Sequence, residues 1–530
     1  MRAHAETRSS AAVQQTDCAL AGRSHADARG TEPLLEGSRR GQGLPEERTK
    51  WPEAFNRLRL SLTVLSRKDV EKIHEATLEI IETVGVRFPL GRALDIWQAH
   101  GARVDRKSAV VRVPRSAIES ALRQAPPAYT LAALDETQDL PLDGNHVYLG
   151  TDGCGVEVID IRTGERRRSC LQDVAEIARV ADHLKEIAFH WVPVSAQDCP
   201  PRTRGLHELL AIWKNSTKHV QTESIYAEHE ARGAVEMASV LAGGRDALRR
   251  RPLLSIMNCT VSPLAQDPGS LEAALAGAEA GLPVGFMSMC SSASTGPATL
   301  AGNLAVANAE VLSGLALIEL AYPGAPVFYA AAQTVMDLRS GAYTGGGPED
   351  FLFGAASNAL ADFYNVPLSM GSFATGAKEP NWQAGVENCL STFMASAVVS
   401  DMLLGAGLLN GSTIWSYEQM IMDCEIFGII AKMMEGIVVD DEHMALEVIR
   451  DVGPGGSYMT HEHTLRHMRE LWISSLMDRR PYSEWERKGD GARTWALARA
   501  RKILETPAPA SLDPKVEKEL RRIIQSTEDK

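Results

Sequence analysis

Short apolar segments rich in β-branched and aromatic residues alternate with helical segments from residue 146 onward. Continuous apolar strands that alternate with helices are typical of a parallel sheet buried on both faces. About eight such units predict an α/β fold, a closed (β/α)8 TIM barrel, with an open doubly wound sheet as the alternative. The predicted strands lie at 146–151, 187–195, 219–224, 253–261, 283–290, 326–335, 366–374 and 401–410, and the predicted helices between them include 171–184, 271–281, 299–322 and 349–365.

Helical segments flank the barrel pattern on both sides. An amphipathic helix is predicted at 65–85, where Ser66 can cap it, and the segment 417–437 is predicted to be a long apolar helix. Two more helices are predicted at 440–453 and 461–477. The predicted organisation is a disordered tail at 1–50, a mainly helical segment at 51–140, the barrel at 141–416, C-terminal helices that pack on the barrel at 417–510 and a polar tail at 511–530.

Charge and cysteine content narrow the class of protein. The 530 residues include 55 Lys plus Arg and 68 Asp plus Glu, which gives a net charge of −13. This charge argues against a nucleic-acid-binding protein and against docking on an anionic membrane. The 8 cysteines contain no CxxC pair, and several lie in apolar runs, which favours a reducing compartment. With no recognisable targeting or membrane-spanning segment, we expect a cytoplasmic protein.

Polar and aromatic residues follow each predicted strand, and in a TIM barrel the functional residues lie at the carboxyl ends of the strands. For any one of them, capping the next helix or satisfying the backbone is the more common role. These strand-end residues are Asp152, Ser195, Gln197, Glu223, Asn258, Thr260, Ser291, Ser292, Gln333, Thr334, Ser372, Phe373, Thr375, Asn410, Trp415 and Tyr417.

Familiar catalytic motifs are mostly absent from the sequence. HEHTLRH at 461–467 is not HExxH, although His463 and His467 are spaced i,i+4 and could hold a metal. Histidines that pack or cap at a helix start are far more common, so no metal site is predicted. TGGGPED at 344–350 could present backbone amides to an anion, but helix capping explains it equally well. There is no GxSxG elbow and no Walker A loop, so the catalytic residues stay unidentified.

Longer motifs carry a family resemblance. They are GVEVIDIRTGERRRS (155–169), TVMDLRSGAYTGGGPE (334–349), KEPNWQAGVE (378–387), DCEIFGIIAKMMEGIVVDDE (423–442) and DVGPGGSYMTHEHTLRHMRE (451–470). Their order and spacing resemble the trimethylamine methyltransferase family of corrinoid-dependent enzymes over roughly residues 60–490. The resemblance implies a TIM barrel that moves a methyl group from a methylated amine to the cob(I)alamin of a separate corrinoid protein. No cofactor would be held permanently by the chain itself.

The resemblance also narrows the substrate. The founding members carry pyrrolysine in the barrel, whereas this sequence has only standard residues and so resembles the branch that uses quaternary amines such as glycine betaine. A quaternary nitrogen leaves as a neutral tertiary amine without a proton transfer, which fits the missing acid–base motifs. The protein then has to orient the N–CH₃ bond and exclude water.

Candidate substrate-binding residues follow from this chemistry. A quaternary ammonium is usually held over aromatic faces, for which Tyr226, Phe286, Phe328, Phe373, Trp415 and Tyr417 are candidates. Glu223 could balance the charge, and Lys378 or Gln383 could bind a betaine carboxylate. The predicted substrate-binding residues are Glu223, Gln333, Phe373, Lys378, Gln383, Trp415, Tyr417, His461 and His463.

This chain departs from the family pattern at three positions. Asn381 and Trp382 stand where the family has an acidic and a small residue, and Ser457 stands where it commonly has His. These changes favour a larger or differently charged quaternary amine, such as carnitine or proline betaine.

Two other functions and one assembly question stay open at this stage. A TIM-barrel lyase or aldolase would need a Schiff-base Lys within a strand, and the predicted strands contain none. A non-catalytic quaternary-amine-binding protein would bind the ligand without turnover. The apolar helix at 417–437 and the Ala-rich helices favour a homo-oligomer, with burial inside one chain as the alternative.

Overall fold

The computed structural model describes residues 62–153, 155–508 and 512–529, so the tail predicted at 1–50 lies outside the described residues. Eight parallel strands close into a barrel, each followed by a helix, which confirms the predicted TIM barrel. The strands are β1 (Tyr148–Thr151), β2 (Ile187–Trp191), β3 (His219–Thr222), β4 (Leu254–Cys259), β5 (Val284–Ser288), β6 (Val327–Ala331), β7 (Leu368–Gly371) and β8 (Met402–Ala406).

The eight helices cover the outside of the barrel. The sequence pattern identified five of them, while α2, α3 and α7 were missed. They are α1 (Leu171–His183), α2 (Arg204–Trp213), α3 (Glu228–Ala242), α4 (Pro268–Ala280), α5 (Leu300–Ala321), α6 (Pro348–Tyr364), α7 (Trp382–Ala397) and α8 (Tyr417–Met434).

Aromatic side chains fill the barrel interior. Phe189, Trp191 and Phe328 belong to the buried apolar cluster inside it. Two strand glycines make room for these rings. A Cβ at Gly150 would lie 2.6 Å from the ring of Phe189, and one at Gly285 would lie 2.0 Å from the ring of Phe328. The interior is therefore a packed core rather than a pore.

A β-hairpin closes the amino-terminal end of the barrel. Its strands, Tyr129–Leu131 and Leu140–Leu142, place leucine side chains in the same apolar cluster as Phe189. The Tyr129 hydroxyl donates to the carbonyl of Val327 at 3.1 Å. Because this end is plugged, ligands have to approach the carboxyl ends of the strands.

The N-terminal segment combines helices with a small antiparallel sheet. Its first helix is capped as the sequence predicted, since Ser66 Oγ accepts from the Asp69 amide at 3.3 Å and Asp69 Oδ2 accepts from the Ser66 amide at 3.0 Å. The helices are Arg67–Glu79, which continues as a π-helical turn at Ile80–Val84, Gly91–Ala99 and Arg115–Leu122, and the strands are Val86–Arg87, Arg103–Asp105 and Val110–Arg112.

Helix α5 is the one helix among the described residues that is long and apolar enough to cross a membrane by length and composition. It is mostly buried, because it contacts barrel strands on one side and the N-terminal helices on the other. Its apolar character therefore has a structural explanation within the fold.

The C-terminal extension is less helical than predicted. The segment 440–453 is broken at Ala445, which has φ of +48°, and the helix expected at 461–477 ends early. Beyond it, the amide of Ser475 donates to Glu425 Oε1 at 3.1 Å and its hydroxyl to Oε2 at 2.6 Å. Such side-chain contacts compete with helical hydrogen bonds. The helices are Asp441–Met444, Leu446–Val452, Glu462–His467 with a 3₁₀ turn at Met468–Glu470, Tyr482–Lys488 and Ala492–Leu504.

The final segment differs from the polar tail expected at 511–530. It forms a helix, Pro514–Glu528, that buries Leu520, Ile523 and Ile524. The helix packs against α3, and Lys214 Nζ, just after the end of α2, donates to Glu517 Oε1 at 2.7 Å. Its apolar residues recur at helical spacing among many charged residues. The segment is polar on average, which explains why it was predicted to be a polar tail.

Candidate active site at the barrel mouth

Two carboxylates, an indole and a thiol meet at the open end of the barrel. Trp191 on β2 pairs with Gln221 on β3, and alternate strand residues face the same side. Glu223 continues the inward-facing row of β3, and Asp152 continues that of β1. The Cys259 thiol at the end of β4 donates to Glu223 Oε2 at 3.4 Å. These strand ends therefore form the floor of the mouth.

Asp152 is buried and held from two sides. Its Oδ1 accepts from the Gly153 amide at 2.8 Å, and its Oδ2 accepts from Ser412 Oγ at 2.6 Å. Burial raises the pKa of Asp152 to about 7, while these two hydrogen bonds oppose the rise and Glu223 adds to it. A cation bound beside Asp152 would favour its ionised form.

Trp191 was not selected from the sequence. It lies in a continuous apolar run, IAFHW, which does not reveal which side chains face the barrel interior. Its ring packs on Gly153, where an added Cβ would lie 2.5 Å away. The buried Nε1 of Trp191 and both polar atoms of Gln221 have no hydrogen-bond partner among the described residues. The Trp191 ring and these unpaired polar atoms thus lie buried in the barrel interior, below the carboxylates of the mouth.

More buried acids surround this floor. Burial raises the pKa of Glu208, Glu230 and Asp423 to about 7 in each case. Asp423 on α8 also raises the pKa of Asp152, and Glu223 raises that of Glu208. The electrostatic character of this end is therefore negative when the acids ionise, which favours a positively charged ligand.

Glu310 on α5 organises the loop after β4. Its Oε2 accepts from the hydroxyls of Thr260 at 2.6 Å, Ser262 at 2.8 Å and Ser288 at 2.8 Å. Its Oε1 accepts from the Leu264 amide at 2.8 Å. Four donors converge on one buried carboxylate, so its role is to hold the ends of β4 and β5 in place.

Lys378 and Gln383 lie together on the rim after β7. Lys378 Nζ donates to the carbonyl of Gly376 at 2.6 Å, and Gln383 Nε2 donates to Glu387 Oε1 at 2.9 Å. Glu387 Oε2 accepts from the Gly376 amide at 3.0 Å, which joins the two residues in one network. Both Lys378 and Gln383 are exposed. Lys378 also lines a rim cleft of about 320 Å³, together with Arg166 and Asn410.

Gln333 lines a second cleft, between the ends of β6 and β7. The cleft has a volume of only about 30 Å³, and Tyr343 and Ser372 also line it. Gln333 Oε1 accepts from Ser357 Oγ at 3.4 Å, while its buried Nε2 has no partner among the described residues. At its rim, Asp350 Oδ2 accepts from the amides of Gly346 at 2.7 Å and Gly347 at 2.8 Å, so that glycine-rich loop caps α6.

Three predicted aromatic residues lie in the core. Phe373, Trp415 and Tyr417 are almost fully buried. The rings of Trp415 and Tyr417 meet edge to face, with centroids 6.3 Å apart. Trp415 also packs beneath Gly407, whose added Cβ would lie 2.5 Å from its ring. These side chains support the loops after β7 and β8.

His461 and His463 lie in the C-terminal extension. His461 Nδ1 accepts from the His463 amide at 3.1 Å, and its Nε2 lies 3.3 Å from Asp451 Oδ2. The His463 ring lies against His467, with centroids 4.2 Å apart. Among the described residues, their recorded contacts are all within the extension, so they form a cluster of their own.

The sequence model for trimethylamine methyltransferase (MTTB) matches residues 36–530 of this chain. The chain belongs to the trimethylamine methyltransferase family. Two relatives from Desulfitobacterium hafniense are each 36% identical to it. A trimethylamine methyltransferase MttB aligns over 88% of this chain and 94% of its own length, and a glycine betaine methyltransferase over 87% and 96%. Membership in this family makes the protein a methyltransferase.

A solved structure agrees with the fold of this trimethylamine methyltransferase family member. The Methanosarcina barkeri monomethylamine methyltransferase (MtmB) superposes with a TM-score of 0.51. The superposition covers 86% of this chain and 89% of that chain at 12% sequence identity, so the likeness is one of fold.

Proposed function

We propose that this methyltransferase moves a methyl group from a quaternary amine to the cob(I)alamin of a separate corrinoid protein. The observation that carries the proposal is the pairing of Asp152 and Glu223 with the Trp191 ring at the plugged barrel's open end. Carboxylates balance a permanent positive charge, and an aromatic face stabilises a quaternary ammonium. The glycine betaine methyltransferase among the relatives supports a quaternary amine, and the trimethylamine methyltransferase supports the broader class of methylated amines.

The residues at the mouth suit this reaction because a quaternary nitrogen departs as a neutral amine. No proton has to be delivered to it, so the chain needs groups that bind, orient and exclude water. Asp152 and Glu223 would bind the ammonium group. The Trp191 ring would line the side of the substrate that faces away from the corrinoid. When bound, the corrinoid supplies a strongly nucleophilic metal centre that accepts the methyl group.

The rim provides donors for the partner's corrinoid. Arg166, Lys378 and Asn410 line the rim cleft and carry a guanidinium, an ammonium and an amide. Such donors fit the carbonyl- and phosphate-bearing periphery of a corrinoid. We place the partner's docking surface on this rim.

The same rim gives a site for a second polar group on the substrate. A carboxylate on the amine would fit Lys378 or Gln383, which lie in one hydrogen-bond network. Asn381 caps α7 by accepting from the Gln383 amide at 2.9 Å. The helix therefore keeps its N-cap although Asn replaces the acidic residue of the family pattern. The neighbouring Trp382 is 81% exposed and adds apolar surface to the rim. These features favour a carboxylated amine bulkier than glycine betaine, such as carnitine or proline betaine.

Assembly and location belong to the same proposal. Large apolar side chains of the extension lie in solvent, including Ile437 at 91% exposed and Ile473 at 79% exposed. Such a surface supports a homo-oligomer in which these residues contact another subunit. The six described cysteines are all free thiols, which supports a reducing cytoplasm.

An anoxic assay tests the function. Purified protein would be mixed with a cob(I)alamin-loaded corrinoid protein and a panel of trimethylamine, glycine betaine, carnitine and proline betaine. We expect the visible spectrum of the corrinoid to change with one quaternary amine, at a rate that depends on this protein. Binding of an amine by calorimetry without any spectral change would instead indicate a non-catalytic binding protein, and silence in both would reject the proposal.

A further inference from the structure

Three histidines and two glutamates converge in the C-terminal extension, in a cluster that the proposed methyl transfer does not use. Glu442 and His443 come from the helix Asp441–Met444, and His463, His467 and Glu470 from the segment that begins at Glu462. Donor atoms of Glu442, His463 and His467 all lie within 4.8 Å of one another. Two short helices that have little other packing are thus joined at one point.

His467 has the hydrogen-bonding arrangement of a metal-ligating histidine. Its Nδ1 lies 2.7 Å from Glu470 Oε1, while its Nε2 faces Glu442 Oε1 at 3.2 Å. A carboxylate that accepts from one imidazole nitrogen fixes the tautomer and leaves the other nitrogen to bind a metal. Glu470 occupies that outer position here.

His463 supplies the second observation. Its Nε2 is buried and has no hydrogen-bond partner among the described residues, although its ring lies 4.2 Å from that of His467. A buried imidazole nitrogen without a partner is costly unless it binds something. The i,i+4 spacing of His463 and His467 directs both rings to one face of their helix.

We propose that Glu442, His463 and His467 bind one divalent transition-metal ion, of which zinc fits the donor set best. Two imidazoles and one carboxylate are common zinc ligands, and water would complete the tetrahedron because Glu442 is half exposed. The ion would join residues 25 positions apart and fix the extension as a rigid unit. This inference does not depend on the proposed methyl transfer.

A second set of donors competes with the first. His443, His467 and Glu470 also bring donor atoms within 4.8 Å, but His443 Nδ1 is already paired with Asp440 Oδ1 at 2.6 Å. Arg466 also contacts Glu442 Oε1 at 3.2 Å, and this ion pair has to yield to the metal. The proposed ligands are therefore Glu442, His463 and His467, the set that contains the unpartnered His463 nitrogen.

The test uses tag-free, full-length protein stripped with EDTA and titrated with Zn²⁺ against a chromophoric chelator. We expect about one ion bound per chain, with a proton released and weaker binding at lower pH. His463→Gln, His467→Gln and Glu442→Gln should abolish this binding, and Glu470→Gln should weaken it roughly 10- to 100-fold. His100→Gln, which changes an exposed histidine of the N-terminal segment, is the matched control and should bind normally.

A structural measurement accompanies the titration and is independent of activity. Zinc should slow hydrogen–deuterium exchange across residues 440–470 in the unaltered protein and leave His467→Gln unchanged, with circular dichroism confirming that each variant is folded. The proposal is overturned if no zinc binds, if the three ligand variants bind as well as the unaltered protein, or if His100→Gln loses binding too.

Discussion

Ser412 Oγ donates to Asp152 Oδ2 at 2.6 Å, although the two residues are 260 positions apart in the sequence. Asp152 directly follows the first barrel strand, and Ser412 lies after the last barrel strand, where its φ is +61°. Closure of the barrel brings these two strands together. Closure of the barrel therefore creates the contact that orients the Asp152 carboxylate at the mouth.

Removing the Asp152 charge should weaken amine binding. We expect Asp152→Asn to raise the KM for the quaternary amine roughly 10- to 100-fold, with a smaller change in kcat, because a charge-assisted interaction is lost. Ser412→Ala is the matched variant and should raise KM less, since the carboxylate stays. Steady-state kinetics with the corrinoid partner measures both, and equal KM values for Asp152→Asn and the unaltered protein would refute the role.

Trp191 should contribute through its aromatic face. Trp191→Leu should weaken amine binding roughly 2- to 30-fold, the range of cation–π interactions, whereas Trp191→Phe should keep most of the affinity. Calorimetric titration with the amine measures this directly. If the two variants lose affinity equally, packing rather than the aromatic face is responsible.

Amine affinity should depend on pH through Asp152. Burial raises the pKa of Asp152 to about 7, so this carboxyl is largely protonated below that value and ionised above it. A cation binds the ionised form, so affinity should rise as the pH increases through about 7. Ser412→Ala should move this transition to higher pH, because the Ser412 hydroxyl stabilises the ionised carboxylate. A flat affinity profile from pH 6 to 8 would contradict this prediction.

The buried acids should make the free energy of unfolding fall as the pH rises, whereas the amine affinity should increase. Burial raises the pKa of Glu230 to about 7, so between the unfolded value near 4.5 and about 7 the folded chain binds more protons than the unfolded chain. The free energy of unfolding that Glu230 contributes therefore falls as the pH rises through that window. His190 and His219 act oppositely, since burial lowers their pKa to about 3 and about 4.

A difference measurement isolates the contribution of Glu230. The free energy of unfolding in urea would be measured for the unaltered protein and for Glu230→Gln from pH 5 to pH 7.5. As the pH rises, the difference between the two free energies should shift in favour of the glutamine variant. The two histidines are common to both proteins and cancel. If the difference in free energy of unfolding did not depend on pH, the pKa of Glu230 would not be raised in the folded chain.

Two glycines form a matched pair for barrel packing. A Cβ at Gly285 would lie 2.0 Å from the Phe328 ring, whereas one at Gly385 on α7 would have no atom within 4 Å. Gly285→Ala should therefore cost about 1–3 kcal/mol through overpacking, and Gly385→Ala should be neutral or stabilise by up to about 1 kcal/mol. Thermal unfolding compares them, and a similar loss in both would contradict the interior packing.

Glu310 should matter more than a neighbouring buried acid. Its carboxylate accepts from four donors, while Glu319 on the same helix accepts from the Gly324 amide at 2.8 Å. Glu310→Gln should destabilise the fold by at least about 2 kcal/mol, because the amide group cannot accept from every donor. Glu319→Gln should cost less, and the reverse order in denaturant unfolding would contradict the assignment.

The barrel was predictable because both faces of each strand are buried. Strands such as β3 and β6 lie in apolar runs, and the polar residues that follow them, Glu223 and Gln333, mark the strand ends. Helices α2, α3 and α7 were missed, and the extension at 461–477 was predicted as one helix because its spacing is helical. The helix instead ends at His467, and beyond it Ser475 binds Glu425.

The sequence by itself determined the fold class, the family and which residue types stand at the strand ends, because these follow from local periodicity and from motifs within one stretch of chain. Only the tertiary structure decided that Trp191 faces the mouth and that Ser412 reaches Asp152. It also decided that Phe373 and Trp415 are core residues and that Glu442 joins the histidines of the extension. Each of these depends on which distant segments closure and packing bring together, and no local pattern records that.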